Sequence, residues 1–212
     1  MTVNTIAWKL LATASVLAGA ALIASSAVGA GAPDTTGFAG GTGIAGGSPN
    51  EPAFDGTRVA RGKYLVDSIG CADCHTPLVF GPNGPERDAK LHLAGHPQGL
   101  VMPTAPVLPE GPWAFVAAGT MTAWNGPWGT SFTANLTPDK ETGLGNWTAE
   151  QFVQAIRTQR HQGRGRQILP PMPAEVYAHL SDEDLVSIFA YLQSIPAVSN
   201  RVPEPLPPAE TR

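Results

Sequence analysis

Cys71-Ala72-Asp73-Cys74-His75 is the stretch that decides how the rest of this 212-residue chain is read. Two thiols three positions apart are spaced to add to the two vinyl groups of one haem. The imidazole that follows at once then falls beneath the iron as its proximal ligand. Two other chemistries use paired cysteines. A zinc site commonly draws four ligands from two such pairs, and no second Cys-x-x-Cys exists here. A thioredoxin-type redox pair belongs to a βαβ pattern, which does not surround residue 71. Cys71 and Cys74 are the only cysteines, so haem attachment leaves none for a disulfide. Stability then rests on apolar packing around the haem.

The chain start follows a different logic. Met1 to Lys9 carries one positive charge, Leu10 to Ile23 is nearly all apolar, and small residues run from Ala24 to Ala30. Residues 1–30 therefore read as a secretory signal peptide, with a cut after Ala30 or Ala32. An uncleaved membrane anchor is the alternative, because Leu10 to Val28 is just long enough to span a bilayer. Richness in Ala, Ser and Thr favours cleavage. Either reading puts the folded part outside the cytoplasm, in the periplasm, with membrane contact only if the segment is retained. Residues 31–53 are dominated by Gly, Ala, Pro, Ser and Thr and read as a flexible linker. Residues 54–200 form the folded domain, and 201–212 a Pro-rich, extended tail. One Cys-x-x-Cys-His implies one haem.

Thirteen Lys and Arg stand against 17 Asp and Glu, a net charge of −4 to which two haem propionates would add. That balance excludes nucleic acid as a partner. Arg157, Arg160, Arg164 and Arg166 lie close together, either as a solvated helix end or as a docking patch or propionate clamp.

Three helices are legible. The first spans Thr57 to Ser68 and stops at Gly70, just ahead of the cysteines. The second opens at Thr148-Ala149-Glu150-Gln151, a capping box, with Phe152, Val153 and Ile156 on its apolar side. The third opens at Ser181-Asp182-Glu183-Asp184, whose carboxylates complement the helix dipole. Its stripe Leu185, Ile188, Phe189 and Leu192 has helical spacing, and Pro196 ends it. Residues 76–147, punctuated by Pro and Gly, read as irregular wrapping with at most a short extended piece at Thr130 to Ala134. Trp113, Trp124 and Trp128 in that segment are candidates to pack on the porphyrin or on one another.

The second axial position decides the function. A thioether gives six-coordinate iron with a raised potential, suited to electron transfer; a vacant position admits exogenous ligands or peroxide. Met172, in Leu169-Pro170-Pro171-Met172-Pro173, is the preferred sixth ligand, because flanking prolines restrict its loop and lower the entropy cost of holding a weak ligand. Met121 and Met102 are the other methionines, and His92, His96, His161 and His179 the competing imidazoles. No Ser/His/Asp grouping is apparent, and the Gly-rich stretch at 40–47 precedes no strand.

With these residues in view, the chain resembles a class I (His/Met) single-haem c-type cytochrome, and more narrowly the cytochrome subunits of bacterial periplasmic dehydrogenases. The likeness is carried by Cys74-His75-Thr76-Pro77, Asn135-Leu136-Thr137-Pro138-Asp139, Thr142-Gly143-Leu144-Gly145-Asn146-Trp147 and Pro170-Pro171-Met172-Pro173, and spans about residues 57 to 200. It implies an all-α class I cytochrome c fold with a long irregular Pro/Gly-rich insertion around the haem, in which the first and last helices cross near Gly62 and Tyr191. It implies one haem c bound through Cys71 and Cys74 with His75 and Met172 on the iron. Trp147 would donate to a propionate, and Asn135 would line the haem. The activity implied is single-electron transfer between redox protein partners, as a soluble carrier or as a subunit of a respiratory or dehydrogenase complex, with no substrate on the iron. The rival is a haem protein with an open iron site, a peroxidase or gas binder.

Overall fold

Asp55 sets the first helix. Its carboxylate accepts from the Arg58 amide at 2.9 Å, and α1 runs Gly56–Ser68. The computed structural model describes residues 54–108 and 111–208. The signal peptide and linker expected at 1–53, and the last four residues of the tail, lie outside the described residues. After α1, Gly70 takes a left-handed conformation (φ 77°) that turns the chain into α2, Cys71–His75.

The chain then builds two small antiparallel sheets. Strands β1 (Leu78–Gly81) and β2 (Gly84–Arg87) form a hairpin; β3 (Val116–Ala117), β4 (Ala123–Gly126) and β5 (Gly129–Phe132) form a three-stranded sheet in that order. This corrects the expectation of an irregular insertion. The strands are at most four residues long and one contains Pro85, so no two-residue alternation was there to read. Polar rivets organise the segment besides any contribution from a haem surface. The Asn200 amide donates to the carbonyls of Ala94 (2.6 Å) and His96 (2.9 Å), and its oxygen accepts from the Gln98 amide (2.8 Å).

The capping box at Thr148 and Gln151 is formed, and α3 spans Ala149–Thr158. A short α4 (Ala174–Tyr177) follows the methionine loop. Helix α5, Asp182–Ser194, is capped by Ser181 and buries Leu185, Val186, Ile188, Phe189 and Leu192. Each such side chain contributes roughly 1.5–3 kcal/mol when fully buried. Helices α1 and α5 meet at Gly62, where a Cβ would lie 1.8 Å from the Ser187 carbonyl oxygen and 2.9 Å from the Tyr191 Cβ. Only glycine permits that approach. α3 packs on α5 through Phe152 and Phe189, with ring centroids 5.5 Å apart.

The tail is ordered over its described part. Leu206 exchanges two 2.9 Å backbone hydrogen bonds with Thr130, extending the sheet beyond β5. Gly129 makes room for it, since a Cβ there would come within 2.1 Å of the Leu206 oxygen. No helix among the described residues is long and apolar enough to cross a membrane.

Candidate haem site

His75 closes α2 with its ring buried, and its Nδ1 lies 2.7 Å from the Ala134 carbonyl. A carbonyl only accepts, so Nδ1 carries the proton and Nε2 is left with its lone pair free. Burial holds the ring's pKa below the ordinary imidazole value, with the Ala134 carbonyl pulling partly the other way. A neutral imidazole with its far nitrogen oriented by a carbonyl is the form an iron requires. Gly95 makes this possible. Its φ of 78° and missing Cβ let residues 93–96 lie directly on Thr133 and Ala134. The Gly95 amide also donates to the His75 carbonyl at 2.8 Å.

The attachment helix is clamped from outside by Arg87 of the hairpin, which donates to the Ala72 carbonyl at 2.6 Å and pairs with Asp73. Burial pushes the Cys71 thiol up to about 11, and Cys74 shifts the same way for the same reason. Such thiols stay protonated near neutrality, unlike the activated thiolates of redox pairs. Among the described residues no group of three or more His, Cys, Asp or Glu side chains is placed to share a metal ion.

Cys71, Cys74, His75 and Met172 line one cavity of about 950 Å³. That is near the upper end of cofactor cavities, roughly 300–1,000 Å³. Its walls include Leu136, Phe152, Ile156, Leu185, Ile188 and Leu192. The donor set and the apolar walls fit a thioether-bound haem. Met172 is the only methionine on the wall among the described residues; Met102 and Met121 lie elsewhere. Of the competing imidazoles, His161 alone reaches the cavity, edge-on to Trp147 at 4.9 Å between centroids.

Trp147 and Asn135 both line the cavity. Asn135 is buried, with its amide nitrogen donating to Val198 O (2.8 Å) and Thr142 Oγ1 (3.1 Å). Its oxygen accepts from both the amide and the hydroxyl of Thr137. Its polar atoms hold 137–142 against Val198, just ahead of the tail, so its contribution to the cavity is scaffolding. Of the three tryptophans in the insertion, Trp124 alone is on the wall, while Trp113 is 75% exposed.

The arginine cluster divides. Arg157 bridges α3 to the turn before α5, donating to the carbonyls of Ala178 and Leu180 and pairing with Asp182. Arg166 instead reaches the cavity, 3.6 Å from Glu204 of the tail. Sequence reasoning missed the tail's part in the site: Arg201 to Pro205 line the cavity. It also missed the Ala134 carbonyl and Ser131. A backbone acceptor and a lone serine carry no sequence signal.

Two cysteines, a buried neutral histidine and a methionine on one apolar wall are the groups that a covalently bound haem of the c type would use. No family model matches the chain. It is related to the cytochrome c subunits of bacterial dehydrogenases. It is 32% identical over 136 residues to the fructose dehydrogenase cytochrome subunit of Gluconobacter japonicus, covering 64% of this chain and 21% of that protein. Against the gluconate 2-dehydrogenase cytochrome c subunit of Pantoea cypripedii it is 40% identical over 133 residues, 63% of this chain and 22% of that one. A diheme cytochrome c-type protein of Cereibacter sphaeroides is 32% identical over 147 residues, 69% and 38% respectively. The chain thus spans well under half the length of these relatives.

Proposed function

We propose that this chain is an exported, periplasmic single-haem c-type cytochrome of the class I fold that passes one electron at a time, as the cytochrome partner of a dehydrogenase. One observation carries the reading: Cys71, Cys74, His75 and one methionine, Met172, share the wall of a single apolar cavity. Kinship with dehydrogenase cytochrome subunits supports a dehydrogenase as electron donor. The one Cys-x-x-Cys-His supports one haem in this chain, and the α1–α5 crossing at Gly62 supports the class I fold.

Bound haem supplies a one-electron couple whose potential its axial ligands and burial set. The protein's residues do the rest. Cys71 and Cys74 would hold the ring covalently. His75 presents Nε2 with its tautomer locked by Ala134, and Met172 offers a neutral sulfur from a loop stiffened by three prolines. Apolar walls from α3 and α5 exclude water, so oxidation changes little in the surroundings.

The test is the ferric optical spectrum. The weak far-red sulfur-to-iron charge-transfer band is expected in the wild type, lost in Met172→Ala and kept in His161→Ala. A wild-type band retained by Met172→Ala would refute the ligand assignment.

A further inference from the structure

We infer that Ser131 is a positioning residue for the sixth ligand, fastening the methionine loop to the inserted sheet; this rests on Met172 being that ligand. Pro170, Pro171 and Pro173 have no amide hydrogen, so the loop has few donors with which to anchor itself. Among the described residues, one hydrogen bond joins 169–172 to another element: the Ser131 hydroxyl to the Pro170 carbonyl, at 2.6 Å. The hydroxyl is buried and its direction is set from behind. Trp128 Nε1 donates to the serine oxygen at 3.3 Å, leaving the hydroxyl hydrogen to point outward. The Trp124 carbonyl, at 3.4 Å, is the weaker alternative acceptor.

The relay therefore runs from the Trp128 indole through Ser131 to Pro170, two residues before the sulfur. Trp128 and Ser131 bracket the start of β5, so the sheet within the insertion becomes a bracket for the axial ligand. The loop flanks are secured separately, by the Ile168 amide on the Gln159 carbonyl (2.8 Å) and by the turn of α4 on Pro173. Without the Ser131 hydroxyl the span between those flanks keeps the packing of Met172 on the core but no hydrogen bond to another element. A thioether is a weak ligand, so the fraction of protein with the sulfur off the iron should rise when its loop is released.

The experiment compares haem-loaded wild type with Ser131→Ala, Ser131→Thr, Trp128→Phe and Met172→Ala. The readouts are cyanide affinity of the ferric protein, carbon monoxide binding rate of the ferrous protein, and the charge-transfer band. Ser131→Ala should raise cyanide affinity and the carbon monoxide rate about tenfold, the effect of losing one buried hydrogen bond. Ser131→Thr, which keeps the hydroxyl, should stay near wild type, and Trp128→Phe should shift both readouts about threefold the same way. Wild-type cyanide affinity in Ser131→Ala, with a band that Met172→Ala abolishes, overturns the inference and leaves the ligand reading intact. A lowered melting temperature with no change in either ligand readout overturns it equally. If Ser131→Ala does not accumulate as holoprotein, Trp128→Phe decides, and an unshifted affinity there is fatal. A band that survives Met172→Ala is a separate failure, that of the ligand assignment itself.

Discussion

The His75 ring and the Ala134 carbonyl stand 2.7 Å apart, and that contact fixes which imidazole nitrogen is free. It is a side-chain-to-backbone bond across 59 positions, so its geometry depends on how closely two loops can lie. Gly95 sets that closeness, because a Cβ there would fall 2.3 Å from the Thr133 oxygen and 2.6 Å from the Ala134 oxygen.

Gly95→Ala is therefore expected to cost on the order of 3 kcal/mol, from left-handed backbone strain plus the clash. It should also raise the reduction potential, since the loosened carbonyl no longer increases the basicity of the proximal imidazole. Denaturant unfolding and a redox titration of the holoprotein check the two halves independently.

Asn200→Ala should cost on the order of 3 kcal/mol. It strips partners from two buried carbonyls and from the Gln98 amide at once. The tail beyond it, with Arg201 to Pro205 on the cavity wall, should become open to proteolysis in the variant and resistant in the wild type. Limited digestion followed by mass analysis distinguishes the outcomes.

His96 makes the protein sensitive to acid. It is fully buried, its Nε2 donating to the Leu100 carbonyl and its Nδ1 accepting from Thr122, both at 2.9 Å. Burial holds its pKa below the usual imidazole value, opposed in part by the Leu100 carbonyl. The unfolded chain then binds a proton that the folded one refuses. Stability is full above the unfolded value of about 6.5 and falls as pH drops below it. The same direction holds for the half-buried His92 and for His161. His96→Gln should be less stable than wild type near neutrality but show a shallower loss on acidification. Unfolding curves on either side of that pH are the measurement.

Much of the helical frame was legible because each helix carries a local signal. Thr148 with Gln151, Ser181 with its three following acids, and Gly70 after Ser68 are start and stop marks that depend on neighbours within a few positions. The two sheets had no such mark. Leu78 to Gly81 pairs with a strand containing proline, and β5 is held on its outer edge by Leu206, more than seventy residues away.

The same division runs through the site. Sequence alone determined the chemistry on offer: two thiols and an imidazole at fixed spacing, and a methionine stiffened by prolines, because covalent geometry and proline sterics act locally. Only the tertiary structure decided which groups meet. It put Met172, and neither Met102 nor Met121, on the cavity wall beside the cysteines, locked the His75 tautomer through Ala134, gave Asn135 to scaffolding and brought the tail to the same wall. Those outcomes depend on hydrogen bonds and close approaches between segments far apart in the chain, and a linear pattern does not encode the distances on which they turn.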